Sequence, residues 1–73
     1  MNCKMDKRLQ ERVLNELFES GKETLLFLRN GVQMRGVVED YDDISLLIRT
    51  DGSKRLIYLS MLSTVDIPEA LDV

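Results

Sequence analysis

The chain has 73 residues, enough for one domain and no more. A domain of this size buries a modest share of its surface and gains stability by associating with others. Hydrophobic residues make up 44% of the chain and charged ones 32%, the balance of a soluble globular protein. No apolar run reaches the ~18 residues of a membrane-spanning helix, and no basic-then-apolar leader opens the chain. A cytosolic, cytoplasmic protein is therefore expected. Cys3 is the single cysteine and there is no histidine. That excludes an intrachain disulfide and a zinc site, and removes the commonest general base. With no Gly-rich phosphate loop either, the expectation is a non-enzyme without metal or cofactor. The formal charge of −3 argues against indiscriminate nucleic-acid binding. Any such binding has to rest on local cations and on base stacking.

In chain order, residues 1–6 carry no pattern and are read as loose, with Asp6 as a helix N-cap. Leu9, Val13, Leu14, Leu17 and Phe18 then form the stripe of an amphipathic helix over 7–20. Lys7, Arg8, Glu11, Arg12, Glu16 and Glu19 take its other face, and Ser20-Gly21 ends it. From Glu23 the period changes to that of strands. The spacing predicts strands over about 23–29, 32–41, 44–50, 54–59 and 61–65. Asn30-Gly31 and Asp51-Gly52 are the tight turns. Gly36, inside the second strand, marks a bend or a close backbone approach. Glu39, Asp40, Asp42 and Asp43 surround Tyr41. They read as a solvated strand exit or as a hard-cation site, but the spacing matches no calcium loop. Pro68 closes the pattern, and 67–73 is a short acidic tail.

One helix followed by five strands with short turns predicts an all-β barrel behind an N-terminal helix, as one domain over 7–66. The corner near Ser60 can turn the fifth strand away from the fourth and leave edges for neighbouring copies.

The runs LQERVLNEL, LFLRNGVQMRGVVEDYDD and LIYLSMLSTV resemble Hfq, the bacterial Sm-like RNA-chaperone family. NGVQMRG with YDD matches the first Sm motif closely, and IYLSMLSTV matches the second in part. The resemblance implies a strongly bent, five-stranded Sm-like barrel. It also implies a homohexameric ring in which the fourth strand of one copy pairs with the fifth of the next. The family's proximal face, where the helices lie, binds U-rich RNA around the pore. Its distal face binds A-rich RNA, and a basic rim helps anneal small regulatory RNAs to messengers.

Carried over residue by residue, the proximal site is degenerate. Gln10 and Asp42 agree with the family. Asp43 and Ile44 stand where it has an amide and a stacking Phe. Tyr58-Leu59-Ser60 stands in place of its Tyr-Lys-His, so the cationic and stacking groups are absent. Phe18-Glu19-Ser20-Gly21 replaces the Arg-rich rim, with Phe18 read as part of the core stripe. The distal face fits better. Phe27 takes the place of the family's exposed aromatic, and Asn30, Gly31, Val32 and Met34 line the adjacent pocket. Arg35, Lys54 and Thr64 supply polar contacts. Packing alone is the competing reading for Phe27, Val32 and Met34, and the turn requires Asn30-Gly31 in either case.

The expectation is thus a post-transcriptional regulator that binds A-rich single-stranded RNA on the distal face of a homohexamer, with weak proximal and rim activities. The alternative is a divergent Sm-like ring that serves as a protein-interaction module with little affinity for RNA.

Overall fold

The structure is a computed structural model that describes residues 2–71 and 73, with side chains from Leu9 to Leu71 and of Val73. Helix α1 spans Asn2–Ser20. It begins before the expected Lys7, because Met, Lys, Arg and Leu favour the helix and no Gly or Pro interrupts the run. The reading of 1–6 as loose therefore gives way to helix from Asn2, and Asp6 lies inside it; Met1 is outside the described residues. Gly21, at φ +65°, takes the left-handed conformation that ends the helix.

Five strands follow: β1 Glu23–Leu28, β2 Gln33–Tyr41, β3 Ser45–Thr50, β4 Ser53–Tyr58 and β5 Leu62–Asp66. Each lies within a residue or so of its expected bounds. The corner between the last two is a 3-10 turn, Leu59–Met61. The Arg29 amide donates to the Met61 carbonyl at 2.8 Å, and its guanidinium donates to the Ser60 carbonyl at 3.2 Å. These bonds tie the corner to the end of β1. The antiparallel sheet has the order β4-β3-β2-β1-β5. Its two edges, β4 and β5, are not paired with each other. Register shifts between Val38 and Asp40, and between Phe27 and Leu28, add the local bend that curls the sheet.

Alternation along the strands sends Leu26, Val38, Leu46, Ile48 and Ile57 inward, and α1 adds Leu14 and Leu17. The helix stripe is narrower than its sequence suggests: Leu9 and Phe18 are 51% and 41% exposed. A single helix over a small barrel covers it with one line of side chains and leaves the flanks of its stripe in water. Gly36 is buried where β2 passes over β3. A Cβ there would run into the Arg49 carbonyl and lie 2.9 Å from Ile48 Cγ1.

The turn from β2 to β3 is organised by Asp42. Its Oδ1 accepts the Ile44 amide at 2.9 Å, the Ser45 amide at 2.8 Å and the Ser45 hydroxyl at 2.8 Å. These donors hold the Asp42 carboxyl below its ordinary pKa of 3.8, the Ile44 amide contributing most.

Two predictions follow from this packing. Gly36→Ala is expected to destabilise the fold by about 1–3 kcal/mol through overpacking. The measurement is the urea midpoint at fixed protein concentration; an unchanged midpoint would show that β3 yields freely. The depressed carboxyl of Asp42 stabilises the fold above the unfolded-state value, and that stability is lost as pH falls through the lower folded value. Asp42→Asn should therefore lose less of its midpoint than the parent between neutral pH and a pH below 3.8. Equal losses in the two proteins would assign acid sensitivity to other carboxyls.

Candidate functional site

The outer face of the sheet follows from the register. Phe27 on β1 lies between Gln33 on β2 and Thr64 on β5. Gln33, Arg35 and Val37 alternate onto that same face, Val37 pairs Arg49, and Arg49 pairs Lys54. Phe27, Arg35, Lys54 and Thr64 therefore share one surface, with Phe27 half-buried and the other three exposed. Met34 faces the opposite way. It pairs Leu26 and packs on the core, while also flooring an open depression of about 560 Å³ with Val32, Arg35 and Arg55. Asn30 and Gly31 shape the turn beside it: Asn30 Oδ1 accepts the Val32 amide at 3.0 Å, and Gly31 has φ +91°.

The cations on this surface have acidic partners. Arg49 Nε lies 2.6 Å from Glu39, and Lys54 Nζ is 3.5 Å from the same carboxylate. The Arg49 hydrogen bond, helped by the Lys54 charge, lowers the Glu39 pKa from its ordinary 4.5. Arg35 sits 4.0 Å from Glu23. An incoming phosphate has to compete with these carboxylates. Gln33, Arg49, Arg55 and the Glu39 fork were not singled out from the sequence. Alternation from Arg35 would have brought Gln33 forward, whereas Arg49 and the Glu39 fork follow from the strand register and the shift between Val38 and Asp40, and Arg55 pairs inward-facing Ile48.

The helix side is built differently. Gln10, Glu11, Leu14, Asn15 and Phe18 recur at the spacing of one helix face. They form a cleft of about 380 Å³ against the 40–43 stretch. Gln10, Asp42 and Asp43 meet there as the sequence brought them forward, joined by Asn15, Phe18 and Tyr41, which it did not. The Tyr41 hydroxyl donates to Asn15 Oδ1 at 3.1 Å. The Phe18 ring meets Tyr41 edge to face, with centroids 6.2 Å apart. Ile44 is 65% exposed, and its carbonyl accepts the Leu59 amide at 2.8 Å, so these two lie side by side. Leu59 packs on the core, Ser60 is exposed, and Tyr58 is on the free edge of β4.

The acids around Tyr41 take separate local partners and do not converge on one point. Glu39 turns to Arg49 and Lys54, Asp40 accepts the Tyr41 amide, and Asp42 closes its own turn. Among the described residues, no three or more His, Cys, Asp or Glu are grouped to hold a metal ion. No helix among them is long and apolar enough to cross a membrane.

Comparison with known proteins covers both the sequence and the fold. The model of the Hfq protein family matches residues 9–71. The RNA-binding protein Hfq of Caulobacter vibrioides is 35% identical over 89% of this chain and 79% of its own length. That of Bacillus thuringiensis is 34% identical over 84% of this chain and 82% of its own. A crystal structure of the pleiotropic translational regulator Hfq superposes with a TM-score of 0.79 at 32% identity, covering 81% of this chain and 98% of the other. The Sm-like fold, the match across most of the length and the relatives at this identity together establish that the chain belongs to the Hfq family.

Proposed function

We propose that the chain is an RNA-binding regulator that takes A-rich single-stranded RNA on the outer face of its sheet, the face distal to α1. The observation that supports this is Phe27. It is an aromatic ring between exposed polar side chains of both flanking strands, Gln33 and Thr64, on the surface that also holds Arg35 and Lys54. A base stacks on such a ring with about 1–3 kcal/mol. At the helix-side positions where the family has its uracil-binding groups, Ile44, Leu59 and Ser60 provide neither a stacking ring nor a cation. Uridine-binding activity there is accordingly weak, and acids at the rim oppose phosphate.

The working unit is a closed ring, with six copies as in the family pattern. The free edges of β4 and β5 support it, together with exposed Leu56, Tyr58 and Met61 beside them. Since the Leu59 amide bonds to the Ile44 carbonyl at the entry to β3, alternation aims the amides of Leu56 and Tyr58 at the free edge. Leu56→Pro removes one of those donors and leaves the internal ladder intact, as edge strands tolerate. Light scattering should find the parent as a ring and this variant as smaller species with native circular dichroism. A ring of parental mass in the variant would place the contact elsewhere.

Fluorescence anisotropy with labelled RNA tests the binding face. The parent should bind an A-rich oligomer more tightly than a U-rich one. Phe27→Ala should weaken A-rich binding at least about tenfold, since ~1.4 kcal/mol is a factor of ten. Glu39→Gln should strengthen it, because Arg49 and Lys54 lose their competing carboxylate. Unchanged A-rich affinity in an intact Phe27→Ala ring would defeat the distal reading. Absence of A-rich binding by the parent at low salt would favour the protein-interaction alternative.

A further inference from the structure

We propose that the cleft between α1 and the β2–β3 turn is a docking site for an arginine-rich protein segment. This inference stands independently of RNA binding on the opposite face. Its floor is apolar and aromatic: Leu14, the exposed ring of Phe18, and Tyr41 set edge to face against it. Its rim is acidic, with Glu11, Asp40, Asp42 and Asp43 all exposed. Elsewhere on the surface the acids Glu23 and Glu39 have cations beside them. Around the cleft, among the residues whose side chains are described, from Leu9 onward, no Lys or Arg lies within ion-pair distance of any of these four carboxylates.

Charge complementarity selects the occupant. A nucleic acid brings phosphates against four carboxylates, which repel it. A basic segment gains attraction at the rim. Arginine gains more than lysine, because its planar guanidinium both stacks on an aromatic face and forms paired hydrogen bonds with a carboxylate. Asn15 Oδ1 and Gln10 add polar groups within the same cleft. The amide of Tyr41 already bonds Asp40 Oδ1 and the turn occupies Asp42 Oδ1. Glu11 and Asp43 are exposed and, among the described residues, have no side-chain hydrogen bond of their own, which leaves both carboxylates whole for a partner.

The test uses the full chain and a fluorescein-labelled nona-arginine peptide, with nona-lysine in parallel. The parent should bind nona-arginine several-fold more tightly than nona-lysine. Glu11→Lys with Asp43→Lys should weaken nona-arginine at least about tenfold. Glu69→Lys, the same kind of reversal at an exposed acid in the tail, should change it much less. Phe18→Ala, verified by circular dichroism, should remove the preference for arginine over lysine. Parental affinity in the double variant overturns the proposal. So does an equal loss in Glu69→Lys, which would assign the attraction to the overall negative charge. Equal binding of the two peptides by the parent removes the stacking argument and the proposal with it. A U-rich RNA whose binding falls on Phe18→Ala and is unaffected by the charge reversals would assign the cleft to nucleic acid instead.

Discussion

The N–H and C=O groups along the outer edges of β4 and β5 have no ladder partner among the described residues. Such a row of backbone groups is a template for another strand. Here it is created by the bend: Gly36 lets β2 press onto β3, and the shift between Val38 and Asp40 turns the sheet sharply. The 3-10 corner at Leu59–Met61 then carries β5 to the far side of β1. The same curvature sorts the surface. It leaves one side of the sheet open as a broad face around Phe27, and packs α1 over the other end of the barrel through Leu14 and Leu17.

The two faces differ in how charge is handled. On the open face the cations Arg35, Arg49 and Lys54 are each held near a carboxylate, Arg49 and Lys54 sharing Glu39, so positive charge there is largely compensated. In the cleft beside α1, Glu11, Asp40, Asp42 and Asp43 gather beside the rings of Phe18 and Tyr41. The chain's net charge of −3 is therefore unevenly distributed.

The strands were legible from the sequence because period-two alternation and the Asn30-Gly31 and Asp51-Gly52 turns specify them locally. The family was legible from NGVQMRG and YDD. The extent of α1 was not, since helix-forming residues before Lys7 carry no periodic stripe to mark them. Phe18 misled for a related reason. Its spacing from Leu14 suits a core position, but how wide a strip of helix becomes buried depends on the curvature of the barrel beneath. The ion pairs were hidden too: Glu39 meets Arg49 and Lys54 across three strands, so the contact depends on register and on a bulge, neither of which any local run of residues encodes.

The fork at Glu39 has a consequence for how binding to this protein is to be weighed. Were phosphates to take both Arg49 and Lys54, Glu39 would lose both partners and require a counterion of its own. One ion leaves the nucleic acid while another is taken up by the protein. The net number released per contact falls below that of a solvated lysine, so the dependence of affinity on salt understates how many phosphates are touched. A shallow salt dependence in this chain is thus compatible with an extensive ionic interface.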